Sequence, residues 1–390
     1  MTIPESRPGS SGAATHLLEP SHLQRLIDVL RADGYCVIAT TLRDGAIVHD
    51  EVSSVAELPA GWTDEQQPGV YRLRRRGDGA LFGYAVGPTP WKRFLHPPLL
   101  RLWRVHRVDG RVELVPEDAA PPKYAFVGVR ACDLTAIARL DDVLLDGPYV
   151  DASYRAVRGQ ALFVAVNCAE PGGTCFCESM GTGPRVGDGA DLVLTEVVAD
   201  GRHYFTARGE TARGQELLSA LECARATADE VDAGERAIAD APDRMGRTLR
   251  TDSLREAIYA QPEHPRWEHV AKRCLTCGNC TLSCPTCFCT TVEDATALAG
   301  SESERRRRWD TCFAVEFSYM YGGSVRLSTR SRYRQWLTHK LSTWHDQFGT
   351  FGCVGCGRCI TWCPVGIDIT VEAAAVRQRV SAGLGQSLTE

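Results

Sequence analysis

The chain has 390 residues, of which 44% are hydrophobic and 24% charged, a composition typical of a globular protein with two or three domains. Its net charge of −5 argues against nucleic-acid binding, which usually requires a basic domain. The N-terminal segment lacks the basic and apolar regions of a secretory signal, and no apolar stretch approaches the ~20 residues of a membrane helix. We therefore expect a cytoplasmic protein whose 17 cysteines are free thiols or metal ligands.

A mixed α/β domain is predicted over residues 19–225, after a Ser-, Gly- and Pro-rich segment, 1–18, that we expect to be a disordered tail. The domain begins with an amphipathic helix, for which Ser21 is the expected N-cap and Gly34 the terminating residue. A strand over 35–39 follows. Asp-Gly pairs between apolar runs predict three hairpin turns, at Asp44-Gly45, Asp109-Gly110 and Asp200-Gly201.

Two short apolar strands of this domain, 124–129 and 161–166, each run into a cysteine. Cys132 follows the first strand and Cys168 the second, at the strand ends where open α/β sheets place their ligands. Asp133 is expected to cap the helix after the first strand.

The second half is predicted to contain a helical linker over 226–249, a cysteine-rich domain over 250–380 and a short tail over 381–390. Residues 313–345 have a mostly helical composition, so we expect a helical domain here. The predicted fold class is therefore α+β, with the mixed α/β domain followed by an α-helical, ferredoxin-like domain. The basic run at 305–308 is either a solvated face or a docking surface.

The cysteine-rich domain contains two runs with the same spacing, Cys-x-x-Cys-x-x-Cys-x-x-x-Cys-Pro. This spacing is typical of proteins with two 4Fe-4S clusters, in which the fourth cysteine of each run ligates the other cluster. Structural zinc sites prefer two Cys-x-x-Cys pairs with a long spacer. We therefore predict one cluster held by Cys274, Cys277, Cys280 and Cys363, and a second held by Cys353, Cys356, Cys359 and Cys284.

The other cysteines leave two interpretations open. Buried, unreactive thiols are common, and we interpret Cys36 and Cys223 in this way. A further iron–sulfur cluster is the alternative for the remaining seven, since thiols in such numbers are typical cluster ligands. They are Cys132, Cys168, Cys175 and Cys177 in the first half, and Cys287, Cys289 and Cys312 in the second. The second set would need a fourth ligand, either His269 or a cysteine of the first half.

Several long stretches of the chain carry a resemblance to a known family. They are PWKRFLHPP at 90–98, GVRACDLTAI at 128–137, NCAEPGGTCFCESMGTGP at 167–184, CPTCFCTTVED at 284–294, WDTC at 309–312 and GCVGCGRCITWCPVGIDI at 352–369. On these stretches residues 20–375 resemble the beta subunit of cytosolic NAD(P)-linked nickel–iron hydrogenases, or sulfhydrogenases, and the related A subunit of anaerobic sulfite reductase. Ala131 stands where the family usually has proline.

The resemblance implies a non-catalytic electron-transfer subunit. Its partners would be the small and large subunits of a nickel–iron hydrogenase, together with a flavin- and NAD(P)-binding subunit. The sequence itself contains no evident nucleophile and base pair or dinucleotide-binding fingerprint, since Gly181-Thr182-Gly183-Pro184 lacks the third glycine. Three alternatives remain: the A subunit of an anaerobic sulfite reductase, a self-contained flavin-dependent oxidoreductase, and a scaffold whose clusters are structural.

Overall fold

The computed structural model of the chain describes residues 14–108, 111–116, 121–298 and 302–378. The Asp109-Gly110 turn, the predicted tail over 381–390 and most of the predicted tail over 1–18 lie outside these ranges. The last residues of that N-terminal tail are not a tail, because 16–18 form the first strand.

The strands described are β1 (His16–Leu18), β2 (Cys36–Arg43), β3 (Ala46–Glu51), β4 (Trp62–Gln67), β5 (Val70–Arg75), β6 (Leu99–Val108), β7 (Arg111–Pro116), β8 (Tyr124–Val129), β9 (Leu162–Val166), β10 (Leu192–Ala199), β11 (Arg202–Gly209), β12 (Thr290–Thr296), β13 (Glu302–Trp309), β14 (Tyr319–Met320) and β15 (Gly323–Ser324). The predicted hairpins at Asp44-Gly45 and Asp200-Gly201 are confirmed, since they join β2 to β3 and β10 to β11.

The α-helices described are α1 (Pro20–Ala32), α2 (Lys92–Leu95), α3 (Ala131–Leu144), α4 (Ala152–Arg158), α5 (Ala212–Leu221), α6 (Ala228–Ala239), α7 (Leu254–Tyr259), α8 (Arg266–Ala271), α9 (Asn279–Leu282), α10 (Thr329–Thr338), α11 (Trp344–Phe348), α12 (Arg358–Thr361) and α13 (Ile369–Arg377). A π-helical turn, His339–Thr343, joins α10 to α11.

A seven-stranded sheet forms the first half, in the order β1-β11-β10-β9-β8-β2-β3. The four strands β10, β9, β8 and β2 run parallel, and antiparallel pairs flank them on both sides. Helices cover both faces, because parallel strands bury both faces of a sheet. Leucines of α1 and α5 pack on one face, and side chains of α3 and α4 pack on the other.

A second, four-stranded sheet has the order β12-β13-β6-β7 and joins the two halves of the chain. The β12–β13 hairpin belongs to the cysteine-rich half, and β13 pairs antiparallel with β6 of the first half. The prediction of a helical cysteine-rich domain is therefore not confirmed: the hairpin accompanies the helices, which surround an aromatic core that includes Trp267, Tyr333 and Trp336.

Several predicted boundaries were wrong. Helix α1 begins at Pro20 with Glu19 as its N-cap, so Ser21 lies inside the helix, although Gly34 does follow its end with φ +80°. Asp133 does not cap α3, since Arg130 is the N-cap residue.

The segment predicted as a linker contains α6, which packs on β10 and β11 and buries Ile238. This segment is therefore part of the first half's packed structure, with its helix held against the sheet.

Candidate metal centres

The first cysteine run and the end of the second run line one cavity. Cys274, Cys277 and Cys280 surround the start of α9, and Cys363 reaches the same cavity from beyond α12. Phe313, Tyr333, Trp336, Val365 and Ile367 complete the lining, together with Cys359. The predicted group of four is therefore brought together around one apolar cavity.

Deprotonation of the cysteines in this first group is electrostatically unfavourable when no metal is bound. Burial, followed by neighbouring thiols, raises the pKa of Cys280 well above its ordinary value, and burial raises the pKa of Cys274. A cationic metal core removes this penalty, because it replaces the protons and neutralises the thiolates. The soft, all-sulfur donor set fits iron–sulfur ligation.

The second group consists of Cys353, Cys356 and Cys359 from the second run and Cys284 from the first. Burial and the neighbouring Cys356 and Cys284 thiols raise the pKa of Cys353 to about 12, partly offset by an N–H donor. Cys284 likewise acts on Cys356 and Cys359. The structure therefore brings the predicted second group together, and Cys359 lies near both Cys280 of the first group and Cys284 of the second.

Backbone amides point at the sulfurs of both groups. The N–H of Thr276 donates to Cys274 Sγ at 3.4 Å, and that of Gly355 donates to Cys353 Sγ at 3.4 Å. The N–H of Ile367 donates to Cys363 Sγ at 3.3 Å. Such bonds stabilise a thiolate and tune a bound cluster.

The four remaining thiols of the first half also come together. Cys132 begins α3 just after β8, Cys168 follows β9, and Cys175 and Cys177 lie in the loop after β9. Cys132, Cys175 and Cys177 lie beside Cys356 of the second run. Cys168 lies near Cys175 and Cys177. Both strand-end cysteines thus lie at the carboxyl edge of the sheet, as predicted.

The thiols of Cys287, Cys289 and Cys312 lie in a different environment. Cys287 donates its S–H to Cys284, which lowers the pKa of Cys284 and raises that of Cys287. The ammonium groups of Lys92 and Lys340 act on Cys289. His269, the histidine considered as a fourth ligand for these three, is exposed on α8.

Two buried lysines were missed at the sequence level. Lys92 is 3% exposed, its Nζ donates to the carbonyl of Cys287 at 2.6 Å, and burial lowers its pKa to about 8. Lys340 is also 3% exposed, and its Nζ donates to Thr286 Oγ1 at 2.8 Å. The lysine inside the apolar PWKRFLHPP stretch was the available signal for the first. Lys340 had none, because its burial depends on a π-helical turn.

The basic run at 305–308 forms part of β13 and is ion-paired along the strand. Arg305 pairs with Asp294 and Arg308 with Glu293, each at 2.7 Å. Arg306 and Arg307 pair with Glu304 and Asp151. The run is therefore a charge-balanced strand, which argues against a docking surface, and Arg307 within it is mostly buried rather than solvated.

Two negative results apply to the described ranges. No three His, Cys, Asp or Glu side chains there converge in a geometry suited to a single metal ion. In the same part of the chain, no helix is both long and apolar enough to cross a membrane.

Comparison with known proteins defines first the class of the protein. Residues 273–367 match the 4Fe-4S dicluster domain, and this match spans all eight cysteines of the two runs. The chain is therefore an iron–sulfur protein of the type that carries two 4Fe-4S clusters, as the cysteine spacing predicts.

The particular family follows from a curated relative. The chain is 31% identical over 306 residues to Sulfhydrogenase 2 subunit beta of Pyrococcus furiosus, an alignment that covers 77% of this chain and 86% of the relative. The chain thus belongs to the sulfhydrogenase beta-subunit family, which confirms the resemblance seen in the sequence. No solved structure matches it significantly.

Proposed function

We propose that the chain relays electrons between a nickel–iron hydrogenase module that reduces sulfur and a subunit that binds flavin and NAD(P). In this proposal Cys274, Cys277, Cys280 and Cys363 hold one 4Fe-4S cluster, and Cys353, Cys356, Cys359 and Cys284 hold the other. Bound clusters of this kind supply one-electron transfer with little change of geometry.

The observation that carries this proposal is the exchange of the fourth ligand between the two runs. Cys363 lies in the first cavity although it belongs to the second run, and Cys284 acts on the second group although it belongs to the first. Two centres that share their ligand loops are held close together and at a fixed separation. A close, rigid pair of one-electron centres is what a relay requires.

The two sites differ in access. Cys277 is exposed, and its neighbour Leu275 is 61% exposed, so the first site reaches the surface. Cys356 is 8% exposed and lies under the first half of the chain. We infer that a partner protein exchanges electrons at the first site, where exposed apolar side chains rim the cavity, whereas the second site is shielded from water.

The test uses the complex purified from its host through a tag on this chain. A nickel–iron hydrogenase large subunit is expected to copurify, together with a flavin subunit. The Cys363→Ala complex should lose hydrogen-dependent NAD(P)⁺ reduction, while hydrogen-dependent reduction of a viologen dye, which accepts electrons at the hydrogenase module, persists. A Cys223→Ala complex is the control and should keep both activities, because Cys223 lies outside the cysteine groups.

Three outcomes would contradict the proposal. Full NAD(P)⁺ reduction by the Cys363→Ala complex would place this chain outside the electron route. Copurification of a sirohaem protein in place of the hydrogenase would move the relay to an anaerobic sulfite reductase, and stoichiometric flavin on the isolated chain would favour the self-contained oxidoreductase.

A further inference from the structure

Four cysteines outside the dicluster motif lie together at the carboxyl edge of the central sheet, three of them buried and Cys168 partly exposed. Three segments supply them: Cys132 after β8, Cys168 after β9, and Cys175 with Cys177 in the following loop. Cys132, Cys175 and Cys177 are 6%, 7% and 6% exposed. The thiol of Cys177 acts electrostatically on Cys132 and Cys175. The thiol of Cys168 acts on Cys175 and Cys177.

The backbone around these thiols repeats a feature of the two ferredoxin-type groups. The backbone N–H of Glu170 acts electrostatically on Cys168, two residues earlier, at the same offset as the N–H donors of Thr276 to Cys274 and of Gly355 to Cys353. The N–H of Gly172 also donates to Cys175 Sγ, at 3.3 Å. Amide donors aimed at sulfur stabilise thiolates, whereas an inert buried thiol has no need of them.

A buried cation that pairs with no carboxylate of the described ranges lies beside the group. Arg130 is 4% exposed and acts electrostatically on Cys168. Its guanidinium donates only to carbonyl oxygens, those of Asn167 at 3.2 Å, Phe82 at 2.6 Å and Tyr84 at 2.9 Å, and it has no ion pair with any carboxylate in the described ranges. A buried charge is normally paired.

The carboxylate of Asp64 interacts electrostatically with Arg130, but its hydrogen bonds are made with other groups. Asp64 accepts hydrogen bonds from Gln66 at 2.5 Å and from the N–H of Ala85 at 2.8 Å. An anionic centre held by the four thiolates would provide the missing counter-charge to Arg130.

The group also touches the ligand loop of the second site. The N–H of Phe176 donates to the carbonyl of Gly355 at 2.8 Å, and Cys175 Sγ donates to the carbonyl of Cys356 at 3.8 Å. Thr182 Oγ1 donates to the carbonyl of Val354 at 2.7 Å. A centre in this group would therefore be a direct neighbour of the second cluster.

We propose that Cys132, Cys168, Cys175 and Cys177 bind a third iron–sulfur cluster. Four thiolates are the ligand set of both two-iron and four-iron clusters. The site would exchange single electrons with the second cluster, one centre being reduced by one electron as the other is oxidised by one, without proton transfer. The proposal rests on residues outside the dicluster motif and does not depend on which partner proteins assemble with the chain.

The first test is the iron and acid-labile sulfide content of the anaerobically purified full chain. Two clusters correspond to about eight irons, a third two-iron cluster to about ten and a third four-iron cluster to about twelve. About ten or twelve irons, with matching sulfide, are expected. About eight irons, or zinc in place of the additional iron, would overturn the proposal.

Variants then locate the additional iron. Cys132→Ala and Cys177→Ala should each remove the iron of one cluster and leave the reduced-state EPR signals of the other two. Cys223→Ala and Cys289→Ala are matched controls and should retain the full content. Loss of the additional iron in Cys289→Ala, with full retention in Cys132→Ala and Cys177→Ala, would overturn the assignment. Since the wild-type iron content alone is decisive, a variant that fails to fold does not remove the test.

Discussion

Arg358 and Asp133 form a fully buried, two-point ion pair that joins the second cysteine run to the first half of the chain. Nη1 of Arg358 donates to Oδ1 of Asp133 at 2.8 Å, and Nη2 donates to Oδ2 at 3.2 Å. The side chains are 0% and 2% exposed. Arg358 Nε also donates to the carbonyl of Gly87 at 3.0 Å, so the residue between Gly357 and Cys359 is held from both sides.

Removal of the carboxylate charge in Asp133→Asn should strongly destabilise the protein. Loss of one partner of a buried ion pair typically costs about 3–5 kcal/mol, because the other charge stays buried without compensation. Anaerobic urea unfolding measures the change. The control is Asp142→Asn on the same helix: Asp142 pairs with Arg139 at 3.8 Å and is 36% exposed, so a loss below about 1 kcal/mol is expected. Equal losses in the two variants would contradict the role of the buried pair.

Gly355→Ala should be much more harmful than Gly349→Ala, although both glycines have a left-handed backbone, with φ +66° and +69°. A Cβ at Gly355 would lie 2.6 Å from the carbonyl oxygen of Phe176, whereas one at Gly349 would have nothing within 4 Å. The left-handed backbone alone costs about 1–2 kcal/mol in each variant, and overpacking should add about 1–3 kcal/mol at Gly355 only. The free energy of unfolding and the iron content together check this. Similar values for the two variants would show that the contact with 174–177 is loose.

Lys340→Met should make the potential of the second cluster more negative. Lys340 is buried, forms no ion pair in the described ranges and acts electrostatically on Cys284 and Cys353, so its charge favours the reduced, more negative state. At an effective dielectric constant near 20 the expected shift is on the order of 100 mV. An EPR-monitored redox titration measures it.

Two variants serve as controls for Lys340. Lys340→Arg keeps the charge and should restore most of the potential. Lys272→Met removes an exposed charge two residues before Cys274 and should change the potentials little, because solvent screens it. An unchanged potential in Lys340→Met would show that the ammonium group has only a structural role.

His96 should make the protein less stable as the pH falls. Burial, followed by the nearby Arg307 guanidinium, lowers its pKa to about 4. In the unfolded chain it titrates near 6.5, so the unfolded state binds the additional proton first and stability falls between about pH 6.5 and pH 4. Between pH 7 and pH 5.5, protonation of His96 should lower the free energy of unfolding by about 1 kcal/mol. The free energy of unfolding of the His96→Gln variant should therefore fall by about 1 kcal/mol less over the same pH range. Parallel pH profiles of unfolding free energy would rule this contribution out.

The sequence by itself determined the chemistry of the second half. The spacing of the runs from Cys274 and from Cys353 predicts two sets of cluster ligands and the proposed exchange of Cys284 and Cys363, because cluster ligation imposes distances that a few residues of chain must span. Asp-Gly pairs likewise predicted the hairpins, and apolar runs predicted the strands that end near Cys132 and Cys168. Both signals are readable in the sequence because backbone preference and side-chain alternation are local properties.

Only the tertiary structure decided how these parts meet. Strand β13 pairs with the distant strand β6. Arg358 forms an ion pair with Asp133, which lies 225 positions earlier in the chain. Cys175 contacts the second ligand loop at Cys356, which lies 181 positions later. The formation of these contacts depends on packing and on the desolvation of charges in the assembled core, and neither leaves a periodic signal along the chain.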